Sequence, residues 1–499
     1  MKFSDRHRVS APSPSLLNSR AMPAIQRRFP YPYKALLAVS SDADAMSPWE
    51  FTRIHRFLNT RTPRIPYYGD GVGLDIGDSF FFKNISNNGL SVYDACYRYE
   101  NEDAWADELN VTSLRIRTSM LLNFLSNSSI LSRLSEPISS FMKDSGEEKA
   151  GTRDPKNARD PITGRLVFEN GPNFIEKYIR CGWIDVLHGG DGNWAEVSFK
   201  RGATDWCRKD GQHYMDWMAR RGLQIDTFTN HSAVTSDFGV PDKPSTRRKP
   251  RSIGDLPDSP AYWADHARQA GIKFYWSYIP CESAAFRKSF GQDTMLVPAT
   301  FRDNSKVWHF SRYTGGGHYA DTIDIILNTK NLDALVRANQ FDIAYTHFGY
   351  WSDNSNRVDP ELSPASIDAF RLLKAYQDEG KILVARTSRL LRYNLALKFS
   401  VFTANQQNQG ATINITAIKD TQFGDFTPTV NDLRGVTFYV TDSSKAQIHI
   451  RDEGVRESEI QRNPADETGN QSIGIKWFEP DHTDYTTWTL ADINRRFPH

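Results

Sequence analysis

The feature that most constrains this chain is Ala35-Leu36-Leu37-Ala38-Val39-Ser40-Ser41-Asp42-Ala43-Asp44, an unbroken apolar run that ends on two acids. A run without polar alternation reads as a strand buried on both faces, the pattern of parallel sheets covered by helices. The C-terminal end of such a strand is where α/β barrels and open α/β sheets place binding and chemistry. Asp42 and Asp44 repel one another unless something positive lies between them, so a bound cation is their natural companion. Behind them the chain is punctuated for a helix. Ser47 can cap it, Pro48 suits the first helical position, and Glu50 completes a capping box. Phe51, Ile54, Phe57 and Leu58 then recur at helical spacing.

The same alternation continues downstream. Strand-like runs stand at 72–80, 183–187, 223–229, 272–276, 342–346 and 382–385, with helical candidates at roughly 171–181, 204–221, 259–270, 330–340 and 363–379. Ser259-Pro260 and Ser363-Pro364 mark two helix starts, and Gly271 and Gly380 the matching ends. Strands alternating with helices predict an α/β fold with a parallel sheet and right-handed crossovers. The number of units favours a (β/α) barrel of seven or eight strands, complete or incomplete, over an open sheet.

At 499 residues the chain exceeds what one core normally fills, which predicts two domains. The expected division is a loose arm at 1–30, the barrel at 31–400 with insertions at 84–168 and 240–258, and an all-β, sandwich-like domain at 401–499. The last rests on β-branched runs such as Ala411–Thr416, Gly435–Val440 and Ala446–Ile450, separated by turn residues. The basic run Arg247-Arg248-Lys249-Pro250-Arg251 reads as a solvated loop.

Basic and acidic residues nearly cancel, 61 against 60, which argues against a nucleic-acid partner. Twelve Trp and 20 Tyr are compatible with a carbohydrate ligand, whose ring faces stack on aromatic faces. Cys96, Cys181, Cys207 and Cys281 lie far apart with no CxxC pair, as expected of separate thiols in a reducing, cytoplasmic compartment. No transmembrane segment and no secretory signal are expected, because no stretch reaches about 18 apolar residues. Oligomeric state stays open.

Three histidines repeat the placement of the acids. His188 follows Trp183-Ile184-Asp185-Val186-Leu187, His231 follows Thr227-Phe228-Thr229-Asn230, and His347 follows Asp342-Ile343-Ala344-Tyr345-Thr346. A lone histidine is usually structural, but a barrel rim would gather all three strand ends, with Asp42 and Asp44, into one ring. Two imidazoles and one carboxylate form a standard site for one catalytic divalent cation. A second carboxylate and a remaining imidazole can then serve as base and acid.

At these residues the chain resembles the polysaccharide deacetylase superfamily. Val39-Ser40-Ser41-Asp42-Ala43-Asp44 is similar to its first motif, in which one Asp is the base and the next binds metal. The resemblance is closer to a branch associated with O-antigen and other surface-polysaccharide biosynthesis. It is carried by Gly71–Phe80, Ile184–His188, Thr229-Asn230-His231 and Tyr345-Thr346-His347-Phe348-Gly349, and covers about residues 35–400. It implies Asp42 as base, Asp44, His188 and His231 as metal ligands, and His347 as general acid. Arg302 would match an arginine near the base. Zinc is the expected ion, with cobalt and nickel as alternatives.

The chain departs from that family in two places. Ala43 separates the acids, which leaves an exchange of roles between Asp42 and Asp44 open. Gly192 stands where a second histidine would follow His188 by four, so His231 or Asp191 must complete the ligand set. Asp78 and Asp191 are candidates for substrate contact. The implied activity is removal of an N-acetyl or related acyl group from a sugar. A glycoside hydrolase using Asp42 with Asp78 or Asp226, or a carbohydrate-binding protein on a decayed scaffold, are the alternatives.

Overall fold

A computed structural model describes residues 25–84, 90–94, 171–190, 206–231, 234–239, 252–277, 290–353, 360–407 and 410–498. Most of the expected insertion at 84–168, the basic run at 247–251 and Asp191 lie outside the described residues. Before residue 400 the strands are β1 (Gln26–Arg27), β2 (Ala35–Ser41), β3 (Asp78–Asn84), β4 (Ser91–Asp94), β5 (Ile184–His188), β6 (Thr227–Thr229), β7 (Phe274–Trp276), β8 (Val297–Thr300), β9 (Lys306–His309), β10 (Phe341–Thr346) and β11 (Ile382–Val384).

Seven of them form one sheet in the order β4-β3-β5-β6-β7-β9-β8, parallel apart from the β8–β9 pair. A second, parallel sheet has the order β10-β2-β11. The two meet where Tyr313, just past β9, bridges Ala344 of β10, its N–H donating to Ile343 O at 2.8 Å. Neither sheet closes on itself among the described residues.

Strand β2 is buried along its whole length, as its composition requires. Ala35, Leu37 and Val39 enter one hydrophobic cluster, while Leu36 and Ala38 enter another on the opposite face. Helix Pro48–Asn59 follows with the expected capping box: Glu50 N donates to Ser47 Oγ at 3.2 Å, and Ser47 N to Glu50 Oε2 at 2.7 Å. Helices Pro172–Arg180, Arg208–Arg220, Thr329–Ala338 and Pro364–Asp378 stand close to their expected places.

Three expectations are corrected. The segment expected as a strand from Val72 runs irregularly to Gly77, because Val72 N and Leu74 N donate to Phe57 O and Leu58 O at the end of the first helix. The strand starts only at Asp78. Helix 259–270 shortens to Ala264–Gln269. The arm at 1–30 is not loose at its end, since Gln26 and Arg27 pair with the C-terminal β-region.

That region comprises β12 (Ser400–Gln407), β13 (Gly410–Ile418), β14 (Thr437–Val440), β15 (Gln447–Ile450), β16 (Glu453–Gly454), β17 (Ile460–Asn463) and β18 (Gln471–Ile475). Together with β1 they form two four-stranded sheets, β1-β14-β18-β17 and β12-β13-β15-β16. Phe402 and Phe438 meet between the sheets with ring centroids 4.7 Å apart. The chain then leaves the β-region. Tyr485, fully buried, packs on Trp183, and helix Leu490–Arg496 packs on helix Pro172–Arg180.

Candidate metal centre at the strand ends

Asp42 continues the β2 ladder by one bond, its N–H donating to Thr346 O at 3.0 Å. The turn that follows carries Asp44 across the strand ends. Gly349, just past β10, lies so close to this turn that a Cβ there would run into the Asp44 carbonyl and the Met46 N–H. That close approach brings His347 beside the acids.

His188 ends β5. Its Nδ1 lies 2.8 Å from Thr229 Oγ1 and 3.3 Å from Thr229 O, so an Nδ1–H donated there leaves Nε2 with a free lone pair. Nε2 stands 3.1 Å from Asp44 Oδ2 and 3.5 Å from Asp42 Oδ2. His231 is held by its backbone N–H, which donates to Asp237 Oδ1 at 2.9 Å, and its Nε2 is 2.6 Å from Asp44 Oδ1. His347 directs Nδ1 at His318 O, 3.1 Å away, and Nε2 at Asp44 Oδ2, 3.3 Å away. One ligand atom each from Asp44, His188 and His231 lies within 4.8 Å of the others, and Asp42, Asp44 and His347 meet the same condition. Phe81 of β3 supplies an apolar floor, its ring 4.8 and 4.9 Å from the two imidazoles of His188 and His231.

A further residue completes the centre. Buried Arg312 grips Asp42 with both arms of its guanidinium, Nη1 to Oδ1 at 2.5 Å and Nη2 to Oδ2 at 3.2 Å. Its plane is clamped between Trp276 and Tyr345, each ring 4.2 Å away. Burial pushes the Asp42 carboxyl up, but Arg312, His188 and His347 outweigh it and hold the carboxyl below its usual range. Burial likewise opposes ionisation of Asp44, while His231 and His188 hold it well below the usual range. Against its own burial, His231 is raised to about 9 by Asp44. The surroundings of both acids thus favour their carboxylate forms, among histidine side chains that are buried or nearly so.

This donor set fits one divalent cation. Two imidazole Nε2 atoms converge on one carboxylate, a backbone or hydroxyl oxygen fixes the tautomer of His188, and a second carboxylate stands alongside. The side chains of Asp42, Asp44, His188, His231 and His347 lie side by side at these strand ends.

Arg302 does not belong to the group. It pairs with Asp255 at 2.5 Å, a quarter exposed, beyond β8, and Arg312 takes the position beside Asp42. Val307-Trp308-His309-Phe310-Ser311-Arg312 is itself an apolar run ending on a charge, the signal that marked the histidines. Asp78 is also corrected. It is the first residue of β3, not the last, and it is fully buried and bonded to His55 Nε2 at 3.1 Å rather than exposed at a strand end. Asp226 is held by Arg392 at 2.5 Å.

Family models, curated proteins and solved structures yield no match to this chain. Among the described residues no helix is long and apolar enough to cross a membrane, and Cys181 and Cys207 are free thiols.

Proposed function

We propose that this chain is a metal-dependent hydrolase that removes an N-acetyl or related acyl group from a sugar of a surface polysaccharide or its precursor. The two sheets, parallel apart from the β8–β9 pair, would form the wall of an incomplete (β/α) barrel, and the separate thiols suit a cytoplasmic setting. The reading is carried by the convergence of Asp44, just past β2, His188, which ends β5, and His231, just past β6, beside the Arg312-gripped carboxylate of Asp42.

Asp44, His188 and His231 would hold the cation, with zinc the first choice and cobalt or nickel as substitutes. When bound, it supplies Lewis acidity to a water and to the acyl oxygen. Asp42, kept ionised by Arg312, takes the proton of the attacking water. His347, with Nδ1 fixed on the His318 carbonyl, presents Nε2 to give a proton to the departing nitrogen. Tyr319 and Tyr350 flank that imidazole with ring centroids 6.4 and 5.9 Å away, giving a sugar ring aromatic faces beside the acid.

A glycosidase would need a carboxylate opposite Asp42, and the two considered for that part, Asp78 and Asp226, are occupied by His55 and Arg392. Acetate release from N-acetylated oligosaccharides tests the reading. Zinc-loaded protein should release acetate, chelated protein should not, and Asp42→Asn should lose about 10²-fold or more while keeping its metal. Sugar binding with no acyl release under any metal would contradict it.

A further inference from the structure

His347, the acid of the reaction proposed above, has a neighbour at each ring nitrogen. Nδ1 is fixed on the His318 carbonyl at 3.1 Å. Nε2, which must meet the departing nitrogen, lies 3.3 Å from Asp44 Oδ2 and 3.1 Å from the hydroxyl of Tyr345. Asp44 would be engaged by the cation. Tyr345 is not among the candidate ligands, and its hydroxyl stays available to His347.

Tyr345 is itself firmly placed. It stands near the end of β10, paired with Ser40 of β2, and its N–H donates to Tyr313 O at 2.9 Å. Its ring lies 4.2 Å from the Arg312 guanidinium, which Trp276 covers from the other side. The His318 ring runs nearly parallel to it, 6° apart in plane, with centroids separated by 6.2 Å. A strand backbone and two packed neighbours thus fix the phenol before any substrate arrives.

The hydroxyl bonds to Asp42 as well as to His347. A tyrosine hydroxyl gives one hydrogen and also accepts. With the imidazole protonated, the hydrogen goes to the Asp42 carboxylate and the oxygen accepts from Nε2–H. Asp42 needs no such help to stay in place, because Arg312 already grips both of its oxygens. The contact that matters is the one to His347.

We propose that Tyr345 is a positioning residue for His347, its hydroxyl anchored on Asp42 and aiming Nε2 at the departing nitrogen. The inference rests on the reaction proposed above. In that reaction Nε2 gives up its proton and keeps the N–H electron pair, while the breaking C–N bond leaves its pair on the nitrogen that receives the proton. Asp42 has by then taken a proton from water. The hydroxyl can now turn, donating to the bare Nε2 and accepting from the Asp42 carboxyl, with no bond of its own broken. One side chain therefore holds the imidazole before and after the transfer.

Tyr345→Phe tests this, because the ring on Arg312 stays and only the hydroxyl goes. With zinc-loaded protein and an N-acetylated oligosaccharide, kcat should fall about tenfold or more while KM stays within about twofold. Metal content should match the wild type. In a His347→Ala background the same substitution should cost nothing further, since the hydroxyl acts through His347. In NMR of metal-free protein carrying isotope-labelled histidine, the His347 signal, identified by its loss in His347→Ala, should move in Tyr345→Phe. The signal of His449, in the C-terminal β-region, should stay. Unchanged kcat, a rise in KM alone, an equal loss with and without His347, or an unmoved His347 signal would overturn the proposal. Wild-type protein that releases no acetate would contradict the reaction instead, and the His347 signal would then decide whether Tyr345 holds the imidazole.

Discussion

At the scale of single residues, the centre depends on who faces Asp42. A buried carboxylate stays ionised only where a cation compensates its lost hydration, and Arg312 does so with a fork that a lysine cannot reproduce. Arg312→Lys is therefore expected to lower acyl hydrolysis about 10²-fold with metal content intact, whereas Arg302→Lys leaves it unchanged. Equal rates for the two variants would detach Arg312 from the chemistry. The histidines and acids of this centre stood out in the sequence because each ends an apolar run, and parallel strands present their C-terminal ends along one edge of a sheet. Arg312 ends such a run too, but its strand is entered through the β8–β9 hairpin, which the alternation of strands and helices conceals. Asp78 misled for a related reason. Val72–Gly77 has strand composition, yet its N–H groups are taken by the end of the preceding helix.

At the scale of elements, helix Pro48–Asn59 carries the loop that bears Asp44. Its capping box places Glu50 in a buried position, where burial and, less strongly, Glu361 raise the carboxyl to about 7 from 4.5. Because this folded-state value lies above the unfolded one, stability associated with Glu50 is fully present below about pH 4.5 and is lost as pH rises to 7. Glu50→Gln can keep the capping bond and removes that loss. Its melting temperature should match the wild type near pH 4.5 and exceed it above pH 7; equal melting at both values would contradict the assignment. The same helix holds β3 through His55 and Asp78. Asp78→Asn is expected to cost about 1–3 kcal/mol in urea unfolding without changing metal content, as befits a buried hydrogen bond to a histidine outside the candidate ligands. Loss of metal in that variant would return Asp78 to the site.

At the scale of the whole molecule, β2 joins two cores. One face contributes to the cluster under the helices, and the other to a cluster that includes Ile413, Phe438 and Ile473 of the C-terminal sheets. The sequence showed two regions of different pattern at about residue 400, but not that they share a core, because an apolar run buried on both faces does not reveal what covers each. Shared burial predicts one cooperative unfolding transition by circular dichroism and fluorescence. Two separated transitions would show that the β-region folds alone. The central claim is that Asp44, His188 and His231 clasp one ion, and metal content by mass spectrometry tests it most directly. Protein purified without chelator should carry one equivalent of zinc or a substitute divalent ion, absent from Asp44→Ala and His188→Ala and retained in Arg302→Lys. A wild type that takes up no divalent ion, or variants that keep it, would contradict the account.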